Sequence, residues 1–424
     1  MPPSKVPTPP STRADGPFAL LRDGPYFRVW TAGALTNAMR WLEMLAVGVY
    51  VYEKTSSPLQ VALVLFCRQL PQVLFGAVLG TFAEIINKKT ILISGLAIVT
   101  LVSTVLGILL VTGKAEIWHL ALGAMISGLL MAMDFPVRRN MLGELCGFDR
   151  IGAGMALDAT TNNVTRMLGP IIGGLALETF GLHGAFFIGA LFHALALILI
   201  LPLRYENAQS TKPETIKIKE NSVKNIIADI VEAMRYVRQD RVLFAMLTIT
   251  LALNMMAMPF ASMIPIIGKD ELGLNAIHIG ILASVEGCGA FIGCILISLW
   301  RTNRFTQIFL FGSIIYLAFL LAFSFSNLYS VSLLLLFLAG LGHAGFSVGQ
   351  STLGYTKPHP EVRGRVMGLL SMTIGIQPLG ILHVGLLANY FGGSMAVMIM
   401  TAEGLIALII CWILWPGMHR YEKP

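Results

Sequence analysis

Six ionisable residues stand in unlikely company. Arg40, Glu43, Arg68, Arg166, Glu286 and Glu403 each lie inside a long apolar run, and His193, His343 and His383 share that setting. A charge in hydrocarbon is expensive unless it is paired or wetted, so such groups mark ion paths, proton relays or structural pairs. Counted from the ends of their runs, Glu43 and Arg68 share a depth in neighbouring runs, as do Arg166 and Glu286. Each pair is expected as an ion pair beside a central cavity or, with equal weight, as a purely structural buried salt bridge. If Glu286 loses Arg166 in a conformational change, desolvation drives a proton onto it. Arg68 and Glu286 occupy corresponding places in two different runs and are read as symmetry mates rather than partners.

The runs that hold these groups dictate the fold class. The 424 residues are 55% hydrophobic and only 12% charged, with a mean hydropathy of +0.74, whereas soluble domains are about half apolar and about a quarter charged. Crossing about 30 Å of hydrocarbon takes about 20 mostly apolar helical residues. Twelve such runs occur, at 28–53, 59–83, 90–112, 117–137, 154–178, 184–203, 242–266, 277–300, 305–325, 330–354, 366–388 and 394–415. They are continuous rather than alternating, which excludes a β-barrel, the other architecture that satisfies backbone groups in lipid. The expected fold is an all-α membrane protein, twelve transmembrane helices in two pseudo-symmetric six-helix bundles.

Lysine and arginine fix its orientation. Arg22, Arg28, Lys88, Lys89, Arg138, Arg139, the segment from Arg204 to Arg241, Arg363, Arg365 and Lys423 fall on one side, and only Lys54, Lys114 and Lys269 on the other. That asymmetry places both termini in the cytoplasm. The net charge of +7 is then a topology signal, and nucleic acid has no part. The expected organisation is a disordered cytoplasmic tail at 1–27, a six-helix bundle at 28–203, a cytoplasmic linker at 204–241, a second bundle at 242–415 and a short tail at 416–424. Within the linker, Val223, Ile226, Ile227, Ile230, Met234 and Val237 recur at helical spacing; this amphipathic helix lies either on the membrane surface or against the protein's own loops.

The two halves repeat each other weakly. GLALETFGLHGA (Gly174 to Ala185) matches GLLANYFGGSMA (Gly385 to Ala396) at a constant offset, the mark of a transporter whose substrate path runs between related bundles. Four of the five cysteines fall in apolar runs and Cys146 is read as a loop residue, with no disulfide framework or zinc spacing. No GxxxxGK[ST] sequence, catalytic triad or metal-enzyme motif occurs, so ATP is not the expected energy source and neither a cofactor nor enzymatic chemistry is expected. The histidines are read as isolated packing residues, and Asp134 and Asp158 as loop anchors near the ends of their runs.

GTFAEIINKK, Gly80 to Lys89, resembles the loop between helices two and three of major facilitator superfamily transporters, with Glu84 for the usual aspartate and departures at Ile85 and Asn87. RMLGPIIGG, Arg166 to Gly174, resembles that superfamily's helix-five motif of drug and proton antiporters. FRVWTAGALTNAM, DFPVRRNMLGEL and EVRGRVMGLL are similar to the bacterial enterobactin-exporter-like group. The resemblance implies a conformational switch over Gly80, Glu84, Lys88, Lys89, Asp134, Arg138, Arg363 and Arg365, in which Glu84 latches onto the start of helix eleven. Lys88 and Lys89 serving topology alone, with Glu84 capping a helix, is the competing reading. Gly169, Pro170, Gly173 and Gly174 are implied as a close contact of helices five and eight, or as ordinary small-residue packing. Helix ten lines the cavity in this family, which singles out His343.

These readings lay a proton and substrate pathway over Asn37, Arg40, Glu43, Arg68, Arg166, Glu286, His343 and Gln350. They imply a monomeric inner-membrane secondary transporter that moves a small amphipathic molecule, a siderophore or drug-like compound, outward in exchange for protons. Uptake or metal-related transport would need Asn37, Arg40, His343 and Gln350 to converge. A non-transporting scaffold or sensor is favoured by Ile85 and Asn87.

Overall fold

The computed structural model describes residues 17–85, 87–146, 150–203, 205, 222–299, 304–359 and 361–415; the side chains of 17–19, 75–85, 135, 152 and 222–229 fall outside the description. Among the described residues the chain is helical throughout. The helices are α1 (Gly24–Thr55), α2 (Pro58–Ile85), α3 (Lys88–Val111), α4 (Ile117–Cys146), α5 (Ile151–Ile200), α6 (Ser222–Gln239), α7 (Arg241–Met256), α8 (Ile264–Ile266), α9 (Ala276–Leu299), α10 (Phe305–Phe323), α11 (Tyr329–Thr356), α12 (Arg363–Ile374), α13 (Gln377–Phe391) and α14 (Gly393–Leu414). Among the described residues nine helical stretches are long and apolar enough to cross a membrane by length and composition. Twelve crossings follow when α5 is counted as two legs and α1 and α2 are added. Arg241–Glu271 is then one bent crossing and Arg363–Phe391 another.

Local chemistry sets the boundaries. The Asp240 side chain accepts hydrogen bonds from the Val242 and Leu243 amides and starts α7, and Asn87 does the same for the Lys89 amide at α3. Spans five and six are two helical legs of α5, as expected, and meet at Gly181, whose φ of 68° and ψ of −178° suit a residue without a Cβ. Gly392, between α13 and α14, repeats this conformation at φ 83° and ψ 169°. The offset that relates Gly174 to Gly385 also relates Gly181 to Gly392, so the sequence repeat carries a repeated corner. Beyond Met256 the chain tightens into a 3-10 turn, Met258–Met263, and then widens at Ile267–Glu271; Pro259 and Pro265 remove backbone donors there.

Several expected boundaries move. The tail was placed at 1–27, yet Pro17–Arg22 forms a 3-10 turn and α1 begins at Gly24. Leu20 is buried, and the Tyr26 hydroxyl donates to the Gly154 carbonyl at 3.0 Å, which together anchor this stretch. Residues 1–16, 206–221 and 416–424 lie outside the described residues, and with them most of the expected tails and linker. Cys146 ends α4 rather than sitting in a loop, and it is buried. In α6 the fully buried Ala233 and Val237 face α7 and α12, so its described part docks on the protein itself.

Helices α1 to α5 pack on one another, as do α7 to α14; the halves join chiefly through α5 with α9 and α2 with α13, and α1 also touches α8 and α9. Both joints are tight toward one end. A Cβ at Gly174 would fall 2.3 Å from the Ala276 carbonyl oxygen, and one at Gly385 would fall 2.2 Å from the Ala62 Cβ. One apolar core spans both halves there. Toward the other end, Leu20, Val29, Ile91, Val137, Met141 and Leu203 form a separate core belonging to the first half alone.

The closest approach inside the second half is between α9 and α11, where a Cβ on Gly340 would meet the Glu286 carbonyl oxygen at 2.1 Å. Gly340→Leu is expected to force these helices apart and to lower the unfolding temperature in detergent, an overpacking cost of about 1–3 kcal/mol or more. Gly364→Ala, where an added Cβ meets nothing within 4 Å, should leave the melting curve unchanged.

Candidate functional site

Three helices converge on one buried carboxylate. α9 carries Glu286, the first leg of α5 carries Arg166 and α11 carries His343. Arg166 Nη2 donates to Glu286 Oε2 at 2.5 Å, and His343 Nδ1 lies 2.7 Å from Glu286 Oε1. An ionised carboxylate only accepts, so Nδ1 carries the hydrogen. Each oxygen of Glu286 therefore has its own donor, and one donor comes from the opposite half. The Glu286 side chain is 4% exposed and Arg166 25%. Tyr316 stacks on the His343 ring at 5.1 Å between centroids and fixes its plane.

Trp41 of α1 closes the site from the first half. The Arg166 guanidinium lies 5.7 Å from its ring centroid and that of Arg40 lies 5.1 Å away, within cation–π range. A cavity of about 50 Å³ between the halves is bounded by Trp41, Arg166, Pro170 and Glu286. Gly169 and Gly173 turn toward α1, where Cβ atoms would meet Trp41 Cβ at 2.5 Å and the Leu42 carbonyl oxygen at 2.8 Å. Only Pro170 and Gly174 face α9, through Gly280 and Ala276. The expected contact of helices five and eight thus uses half of the motif, and the other half seats α1.

A second group sits within the first half. Arg68 Nη1 donates to Glu43 Oε2 at 3.3 Å, both side chains being largely buried. Asn37, Arg40, Glu43, Arg68, Asp134 and His193 line one cavity of about 330 Å³ bounded by α1 to α5. Both expected pairs therefore form, but in different places. Gln350 joins neither, because its amide donates to Thr250 Oγ1 at 3.0 Å. The convergence of Asn37, Arg40, His343 and Gln350 that metal transport would require does not occur. His343 and His383 are not isolated as expected; His383 Nε2 lies 3.1 Å from Glu403 Oε2.

The two ends of the molecule are held differently. At the end where the halves meet, the Tyr52 hydroxyl bonds Asp270, Lys269 pairs with Glu53 at 2.6 Å, and Glu178 accepts from the Ala276 amide at 3.0 Å. These contacts cross the seam, and the spacing of their residues gave no hint of them. At the other end the contacts of Lys88, Arg138 and Arg363 stay within their own half, and Arg365 reaches the linker helix. Lys88 pairs with Glu144, which also binds Tyr205, and burial beside that carboxylate raises the Tyr205 phenol above its ordinary value. Arg365 pairs with Glu232 at 2.7 Å and Arg363 lies over the Tyr355 ring. The side chains of Gly80 and Glu84, the centre of the expected latch, fall outside the described residues.

Asp134 and Asp158, expected as loop anchors, are helical residues in a buried network. Arg138, 2% exposed, reaches Asp158 at 2.8 Å and Asp134 at 3.3 Å, and Arg139 meets Asp158 at 3.1 Å. The acid four residues before Arg138 was the available signal. Among the described residues no group of three or more His, Cys, Asp or Glu could hold a metal ion.

The family model of the Major Facilitator Superfamily matches residues 29–377. Macrolide efflux protein A of Streptococcus pyogenes is 22% identical over 377 residues, covering 87% of this chain and 90% of that protein. The Staphyloferrin A transporter of Staphylococcus aureus is 22% identical over 357 residues, covering 83% and 86%. Among solved structures, a bacterial homolog of the human lysosomal transporter Spinster, inward-facing and unoccupied, superposes with a TM-score of 0.71 at 15% identity, over 94% of this chain and 99% of that one.

Removing one member of the buried centre strands the others. Arg166→Met is expected to destabilise the folded protein by about 3–5 kcal/mol, the cost of a buried ion pair broken on one side. Arg166→Met/Glu286→Gln should recover much of that loss. Unfolding temperatures of the three purified proteins in detergent measure both effects.

Proposed function

Because the chain belongs to the Major Facilitator Superfamily, we propose that it is a proton-coupled secondary transporter, exporting a small amphipathic molecule from the bacterial cytoplasm across the inner membrane. Drug-like compounds and siderophores are the leading cargo classes, in line with the macrolide and staphyloferrin A named for its relatives. Within the superfamily its motifs are nearest the enterobactin-exporter-like group. Residues 28–203 and 242–415 act as the two moving bundles of a monomer, 204–241 links them, and both termini are cytoplasmic.

One observation carries the reading. Glu286 is neutralised by a cation from the other half, at a seam whose described contacts across the halves gather toward one end. With the termini in the cytoplasm, the closed end is the outer one and the cargo enters from within. Rocking that opens the outer end separates α5 from α9 and withdraws Arg166 from Glu286. The stranded carboxylate then takes up a proton, since a neutral acid is far cheaper to bury than an unpaired anion. Return to the inward-open state restores Arg166 and expels the proton to the cytoplasm, so cargo leaves as protons enter. Glu84 meets the start of α12 at Arg363 and Arg365 when the inner end closes, and Arg365 then gives up its contact with Glu232.

Proteoliposomes with an entrapped pH dye test the proposal. A macrolide such as erythromycin should drive proton movement in the wild type, and Glu286→Gln should bind it with little change yet lose about tenfold or more of the coupled flux. Undiminished coupling in Glu286→Gln would remove this residue from the mechanism. A wild type without any substrate-driven proton movement would favour the scaffold reading.

A further inference from the structure

The cavity lined by Asn37, Arg40, Glu43 and Arg68 does not lie on the seam between the halves. Its volume of about 330 Å³ sits within the first bundle, in the range of small-molecule sites. Its wall is of two kinds. Ile91, Leu92, Leu96, Val99, Leu130 and Met131 make one side apolar, and Asn37, Arg40, Glu43 and Arg68 make the other polar.

The charges on the polar side do not cancel locally. Glu43 is taken by Arg68 and Asp134 by Arg138. Arg40 is left over. Its one described partner is the Trp41 ring, and its strongest charged neighbours are Arg68 and Arg166, both cations. A half-buried guanidinium with no carboxylate partner among the described residues attracts an anion, and its planar fork suits a carboxylate. The facing apolar wall asks for a ring or chain behind that anion.

We propose that this cavity binds an amphipathic organic monoanion, with the anionic group on Arg40 beside Asn37 and the apolar body against Leu96, Val99 and Leu130. The site deepens the transporter reading and rests on it for the meaning of the cargo, but binding can be measured without transport. Gly95 lines the same cavity, and a Cβ there would meet only Leu130, at 3.9 Å. A larger side chain at Gly95 can therefore grow into the space without displacing a helix.

Tritiated 2-naphthoate is the probe, measured by scintillation proximity on the full-length protein in phosphatidylcholine nanodiscs, with uncharged 2-naphthamide as competitor. Naphthoate should bind saturably, and the amide should compete roughly tenfold or more less well. Arg40→Gln should weaken binding by a similar factor, Arg40→Lys should keep most of it, and Gly95→Leu should abolish it. Equal competition by the amide, or binding that survives both Arg40→Gln and Gly95→Leu, overturns the proposal. If Arg40→Gln does not fold, Arg40→Lys and Gly95→Leu decide the matter. The readout needs no proton gradient, so a failure of coupled flux leaves it standing, and a failure here leaves the coupled-flux proposal standing.

Discussion

A buried charge must be answered, and in this protein the answer to Glu286 comes from the opposite half of the chain. Burying an isolated carboxylate costs far more than a surface contact can return, so the group is stable only while it is paired or protonated. Arg166 and His343 occupy one oxygen each. Because Arg166 belongs to the first bundle and His343 to the second, relative motion of the bundles removes one donor and spares the other. The electrostatic state of Glu286 is thereby tied to the position of the halves.

The same accounting separates rigid from yielding parts. Arg138, Asp134, Asp158 and Arg139 form a network inside the first half, with Arg138 almost wholly buried. Breaking it would strand charges, so α4 and α5 move together. The contacts across the closed end are of another order. Lys269 and Glu53 are each nearly half exposed, and exposed pairs contribute about 0–1 kcal/mol. Beside the hydrogen bonds of Tyr52 with Asp270 and of the Ala276 amide with Glu178, that seal is helix on helix at Gly174, Gly280 and Gly385. Such backbone contacts in lipid rest on packing rather than on a hydrophobic drive, since the acyl chains are as apolar as the side chains they replace. A seam of this kind opens at modest cost, and the bundles on either side stay intact.

Much of this was legible in the residues. Apolar length gave the class, and matched depth gave both Glu43 with Arg68 and Arg166 with Glu286. His343 as the third member of the centre was visible as a histidine in span ten but not as a partner, because nothing local encodes which face of α11 meets α9; the glycines at 289 and 340 decide that by letting the backbones close. Tyr52, Glu53 and Asp270 escaped notice for the opposite reason. They look like ordinary residues at helix ends, and only the packing of α1 beside α8 brings them together. The break between spans five and six, expected between 178 and 184, falls at Gly181, where a glycine with positive φ turns the chain without a polar loop.

The internal repeat explains why the two ion pairs, alike in chemistry, differ in consequence. Backbone geometry is shared between the halves, down to the corners at Gly181 and Gly392. The charges placed on that common frame are not. Arg68 and Glu286 hold corresponding positions, and each has found a partner elsewhere. Arg68 turns inward to Glu43 of its own bundle, whereas Glu286 turns outward across the seam to Arg166. One pair therefore travels as a unit whatever the halves do, and its role is to shape a cavity and leave Arg40 unanswered. The other pair cannot survive rocking unchanged. Two identical halves would carry either two pairs within a bundle or two pairs across the seam; divergence at a few positions yields one of each, so that a fixed polar site and an ion pair between the halves coexist in a nearly symmetric frame.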